Sequence, residues 1–161
     1  MVHEVATQHI CLTIFNHLEH GNITIRNLVT LSGQPYAKIP TLRILSTDEI
    51  AKICIAPGQS KVLSFCGAGA LGVGVEGMLD LCLEDENENE DEVESKSDSE
   101  SDSDSESRIT TLYWNGPWER RGNQFHAAST DRMKYSVVTS LPPDEGVLGY
   151  VSVEVGEVTA R

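Results

Sequence analysis

The sequence is poor in several features that usually announce chemistry. Aromatic residues make up only 6% of the 161 positions, so the place of each one carries information. Four cysteines are present, Cys11, Cys54, Cys66 and Cys82, and no two stand in the C-x-x-C spacing of a zinc or redox site. That density is too low for a disulfide scaffold. Cys11, Cys54 and Cys82 lie in apolar or alternating runs, which predicts buried, reduced thiols. No apolar run reaches the length of a membrane span. The opening "MVHEVATQHI" lacks the basic start and apolar centre of a signal peptide. The expectation is a soluble protein, cytoplasmic or exported without a leader, that meets any bilayer from the water side. Convincing helical periodicity is also missing. "STDEIAKI" (46–53) has the serine and glutamate of a capping box but is short.

Positive charge is scarce overall, with 12 basic against 25 acidic side chains and a net charge of −13, but the imbalance is local. Residues 84–107, "EDENENEDEVESKSDSESDSDSES", hold thirteen of those acids and one lysine, leaving the rest nearly neutral. The chain therefore reads as a neutral domain, 1–161, carrying an acidic insertion at 84–107. That segment has no aromatic residue and a single valine, Val93, so it cannot supply a core element and is expected to be a disordered loop that lengthens a hairpin. Ser95, Ser97, Ser99, Ser101 and Ser103 each precede an acid by three positions, a spacing that suits acidophilic kinases; a purely solubilising loop accounts for them equally well.

What remains is mostly short alternation of apolar and polar residues, the signature of half-buried strands. "HICLTIF" (9–15) and "ITIRNLV" (23–29), joined through a His-Gly-Asn turn, read as a hairpin. "EIAKICIA" (49–56), "KVLSF" (61–65), "MLDLCL" (78–83), "RITTLYW" (108–114), "QFHAAS" (124–129), "MKYSVVTS" (133–140) and "VLGYVSVEV" (147–155) continue the series. Eight or nine such strands predict an all-β fold, an antiparallel sandwich or barrel.

Catalytic signals are absent. "GAGALG" (67–72) fits G-x-G-x-x-G after a strand, yet the glycine-spaced "VGVEGM" that follows opposes the helix a nucleotide site requires, so a glycine-rich bend is expected. "HLEH" (17–20) offers two imidazoles and no third ligand. No G-x-S-x-G elbow occurs. No enzyme activity, cofactor, metal or nucleic-acid partner is expected.

The distinctive stretch is "YWNGPWERRGNQF" (113–125). Tyr113, Trp114, Trp118 and Phe125 are four of the nine aromatics, and Arg120 and Arg121 lie among them. Indole beside guanidinium suits a membrane interface, where the ring sits at headgroup depth and the cation meets phosphate. The same pair suits a sugar or choline site. Composition leaves contact surface and core corner equally open. Tyr113 and Trp114 must face opposite ways on a strand, and Tyr113 is taken as the inward one.

This stretch resembles the "YWDCPW" motif of the aegerolysin family, with its basic turn and following aromatic. "DEGVLG" (144–149) is similar to the family's "DSGALG", "CGAGALGVGVEGMLDL" (66–81) to its Cys-Gly opening and Asp-Leu ending, and "NITIRNLVTLSG" (22–33) to its "IKNLxxxWG" strand. The resemblance covers nearly everything outside the insertion. It implies an actinoporin-like β-sandwich and binding to sphingolipid-containing membranes, as a monomer or small homo-oligomer, with recruitment of a membrane-attack-complex/perforin partner that makes the pore. Carried over by motif, Trp114, Trp118 and Phe125 are the lipid-contacting aromatics, with Arg120 or Arg121 on lipid phosphate. Three positions depart from the family pattern: Ser32 replaces a tryptophan, Gly116 a cysteine, and Val73 an acidic residue linked to lipid choice. The alternatives are an acidic-tract protein that binds basic partners and a lectin-like module using the same aromatics.

Overall fold

In a computed structural model, residues 7–38, 42–68, 71–84 and 107–159 are described. Their eleven strands are β1 (His9–Asn16), β2 (Ile23–Ser32), β3 (Gln34–Ala37), β4 (Arg43–Ile44), β5 (Cys54–Ile55), β6 (Ser60–Cys66), β7 (Val75–Leu83), β8 (Arg108–Gly116), β9 (Gln124–Ala128), β10 (Tyr135–Thr139) and β11 (Gly149–Glu157), with one short helix, α1 (Thr47–Ala51). They form a six-stranded sheet, β10-β11-β1-β6-β3-β4, packed on a five-stranded sheet, β5-β2-β7-β8-β9.

The alternation explains the core. Ile10, Leu12 and Ile14 of β1 face inward with Val151, Val153 and Val155 of β11 and with Leu63 and Phe65 of β6. Opposite them lie Ile23, Ile25, Leu79, Leu81, Leu112 and Trp114 from the second sheet, and the two sets form one buried cluster. Phe65 and Trp114 meet across the sandwich with ring centroids 4.6 Å apart.

Four expectations change. β1 and β2 are not a hairpin: β1 pairs with β11 and β6, and β2 with β5 and β7, so residues 17–22 cross between sheets. Buried Asn16 secures this crossing by donating to the carbonyls of Gly21 and Ile55. The β1–β11 pairing is parallel, so the six-stranded sheet is mixed. "EIAKICIA" divides into the end of α1 and the two-residue β5, because Ser46 and Glu49 complete a reciprocal capping box that favours a helical turn over extension. Cys54 is exposed rather than buried, while Cys11 and Cys82 are buried, and all four thiols are free.

The acidic insertion joins antiparallel neighbours β7 and β8, as the hairpin reading required. Its roots are tied by Leu83 N–H to Ser107 O (2.8 Å) and Glu84 N–H to Asn22 O (2.9 Å). Residues 85–106, and with them the expected disorder and the kinase-like serines, lie outside the described residues.

Candidate functional site

β7 and β8 run the length of the five-stranded sheet, with Val75 opposite Gly116 at one end and Cys82 opposite Arg108 at the other. The insertion leaves from the second end. The YWNGPW turn lies at the first, about 26 Å away for nine residues of strand.

Two of the expected contact aromatics are core residues. Trp114 is 0% exposed and Phe125 6%, both on the inner face of the five-stranded sheet. The expected facing of the Tyr113–Trp114 pair is thus reversed. Trp114 turns inward because Gly77, its cross-strand neighbour, leaves room for the indole: a Cβ at 77 would lie 2.6 Å from Trp114 Cζ2 and 2.8 Å from the Val29 carbonyl oxygen. The Trp114 Nε1–H has no hydrogen-bond partner, a cost the ring's burial must outweigh. Tyr113 faces outward and donates to Glu76 (2.7 Å) beside the His126 ring. That bond to a carboxylate, helped by desolvation, raises the phenol above its ordinary range. In the described conformation neither Trp114 nor Phe125 can touch a membrane.

Trp118 is different. It follows Pro117 off the end of β8, is half-buried, and lays its indole across the glycine-rich passage between β6 and β7. A Cβ at Gly72 would be 3.4 Å from Trp118 Nε1, and one at Gly74 would be 2.4 Å from Gly116 O and 3.0 Å from Trp118 N. The glycines of "GAGALGVG" therefore permit close backbone packing of loop on turn, and the passage leads into β7 rather than into a phosphate-binding helix. Arg121 is exposed; Arg120 is half-buried and holds a left-handed φ of 58°. Next to them run residues 140–148, joined by a bridge between Arg121 and Glu145.

Ser32, in the place of the family tryptophan, donates its hydroxyl to Gly74 O (3.2 Å) and so ties the end of β2 to the same passage. The other two departures fall at this end as well: Val73 is half-buried, and a Cβ on Gly116 would meet Gln8 Cδ at 2.9 Å.

Two further residues here escaped the sequence reading. Leu71 is 79% exposed in the glycine-rich passage and Leu31 is 58% exposed at the end of β2. The available signal was positional: a lone leucine between glycines, and another just before a Ser-Gly turn, have no strand partner row to fill. No group of three or more His, Cys, Asp or Glu side chains among the described residues is arranged to hold a metal; in HLEH, Leu18 is buried, His17 stacks on Phe15, and His17 Nε2 lies 3.7 Å from Glu154.

The fold has counterparts. RahU protein in complex with a TRIS molecule superposes with a TM-score of 0.73 at 18% identity, over 96% of this chain and 98% of that one. IP-1A from Alcaligenes faecalis gives 0.70 at 18%, over 96% and 94%. The lipid binding protein Nakanori gives 0.52 at 14%, over 96% and 72%. No curated protein matches the chain. The family model described as Aegerolysin matches residues 7–95 and 100–158. With that coverage, and with a sandwich that carries the YWNGPW turn at one end, the chain belongs to the aegerolysin family.

Proposed function

We propose that the protein binds sphingolipid-containing membrane surfaces end-on, with the Trp118 turn at the headgroup level, and serves as the targeting component for a pore-forming partner of membrane-attack-complex/perforin type. The observation that carries this reading is the Trp118 turn itself: a half-buried indole on a turn with the exposed Arg121, at the same end as the exposed Leu71 and Leu31 and opposite the acidic insertion. Family membership and the lipid-binding description of the Nakanori neighbour support it. Trp118 with Arg120 or Arg121 forms the contact, and Trp114 and Phe125 shape the ground beneath it. Binding alone does not perforate.

The charges of this end favour a zwitterionic headgroup. Arg120 and Arg121 are offset by Glu119, Asp144 and Glu145 on the same turn and loop, so no net attraction draws the end to an anionic leaflet. The test is sedimentation with vesicles of phosphatidylcholine, phosphatidylserine, sphingomyelin with cholesterol, and ceramide phosphoethanolamine with cholesterol. Binding to a sphingolipid mixture, little changed between 50 and 500 mM salt and lost in Trp118→Ala, is expected. A folded protein that sediments with none of these would end the proposal, and binding that collapses with salt would mean that the charge of Arg120 and Arg121, rather than the indole, carries the contact.

A further inference from the structure

Gln8 is fully buried just before β1, and its side chain reaches two separate loops. Its Nε2 donates to Pro117 O (2.9 Å), Asn123 Oδ1 (3.3 Å) and Gly146 O (3.3 Å), and its Oε1 accepts from Leu148 N–H (2.7 Å). Its backbone carbonyl accepts from Gly67 N–H (2.8 Å), the first residue of the glycine-rich passage. Asn123 extends the net by donating to Pro143 O (2.9 Å) and Gly146 O (3.1 Å). Backbone bonds close it: Gly122 N–H to Asp144 O (3.0 Å) and Gly146 N–H to Arg120 O (2.8 Å). The 117–123 and 140–148 loops are thus fastened to the Gln8 side chain, and the start of the glycine-rich passage to its backbone. The net also holds Arg120 in a left-handed conformation that a side-chain-bearing residue adopts at a cost of about 1 kcal/mol or more.

We infer that Gln8 is the positioning residue of the membrane-contact end: its amide fixes the 117–123 and 140–148 loops against each other, and so sets the aim of Trp118 and Arg121. Gln8 touches no lipid. It acts through the turn, and this role rests on the end-on reading of function. The chemistry requires an amide, because the site presents acceptors on one side (Pro117 O, Gly146 O) and a donor on the other (Leu148 N–H).

That requirement supplies the test. In Gln8→Glu the ionised carboxylate keeps the Leu148 bond but opposes two carbonyl oxygens with a charge and no donor. Burial raises such a carboxyl's pKa, so mild acid protonates it and restores an O–H donor. The titratable and charged groups on the packed elements are His9 on β1, Cys66 at the end of β6, Glu119, Arg120, Arg121, Asp144 and Glu145. Wild type and Gln8→Leu, measured at both pH values, report the contribution of these groups.

Vesicle binding by Gln8→Glu at pH 8 should be at least about tenfold weaker than wild type, the effect of one buried acceptor left unpaired. It should return to within about threefold at pH 5, while Gln8→Leu stays weak at both pH values and wild type changes little. Without lipid, amide hydrogen-exchange protection at Gly146 and Gly122 should fall in Gln8→Glu at pH 8, while Leu148, whose acceptor is kept, and β7 and β8 stay protected. Asn123→Asp disturbs the same net from the other loop and serves if Gln8→Glu does not fold. Wild-type binding and loop protection in Gln8→Leu, as well as in both acidic variants at pH 8, would overturn the inference. A wild type that binds no vesicle overturns the end-on reading and this role with it; the two failures differ because the first appears only in the variants.

Discussion

Substitutions at Trp114 and Trp118 should separate stability from binding. Trp114 fills the space between Phe65 and Gly77 at 0% exposure, so Trp114→Ala leaves a cavity and should cost about 3–5 kcal/mol in urea unfolding. Trp118→Ala removes a half-buried ring from a turn; its denaturation midpoint should lie close to wild type while vesicle sedimentation falls. Changing both together would confound lost folding with lost contact. Gly77→Ala tests the same packing from the other strand: its methyl meets the Trp114 ring and the Val29 carbonyl at once, and a loss of about 1–3 kcal/mol is expected in the same assay. The thiols give a third test at this scale. Burial pushes the Cys66 and Cys82 thiols up, and desolvation with the nearby Glu84 carboxylate does so for Cys54. A raised thiol pKa keeps the reactive thiolate scarce, so iodoacetamide at pH 7.5 should label the native protein slowly, with Cys54 first because it is exposed.

Among the elements, the α-helix α1 has an ionisable cap. The Glu49 carboxylate accepts from the Ser46 backbone N–H and from Arg43, which hold its pKa below the ordinary glutamate range. A lowered folded value means the stabilisation is present above the unfolded pKa, near 4.3, and is lost as pH falls through the folded one. Thermal scans between pH 2.5 and 6 should therefore show a smaller acid-side change in Glu49→Gln than in wild type. The strands were legible because period-2 alternation survives wherever one sheet face is solvated, as in β1, β6, β8 and β11. β3 and β4 were missed because "QPYA" and "RI" are too short to show a period, and β4 owes its place to pairing with β3. The aromatic site was half legible. Sequence located the turn, but inward or outward facing at Trp114 depends on register against Gly77, which no local pattern encodes. The buried amide at Gln8 was invisible for a related reason: its partners stand 109 to 140 residues away.

For the whole molecule, the separation of the Trp118 turn from the insertion roots sets what the acidic segment can influence. A distance of about 26 Å is three Debye lengths at physiological salt, so charge held at the roots is largely screened at the contact end. Removing residues 85–106 should leave the circular dichroism spectrum and vesicle affinity within about threefold of wild type, given the slow growth of loop-closure cost with length. A large gain in binding on deletion would mean that the segment reaches the contact end.

The parallel pairing of β1 with β11 has a different consequence, for the making of the protein. β11 lies between β10 and β1, so an interior position of the six-stranded sheet, next to its edge strand, is filled by the last strand of this domain in sequence order. Val151, Val153 and Val155 enter the core only then. A ribosome-bound chain that has emerged only as far as β10 holds β1 with one lateral edge open and its inner face uncovered. Folding must wait for the final strand, and such non-local closure is slow, on the order of milliseconds to seconds. Synthesis of this fold is therefore a period of exposure that ends with the last strand, and chains stopped before Gly149 should collect with chaperones or in aggregates instead of accumulating as shortened native protein.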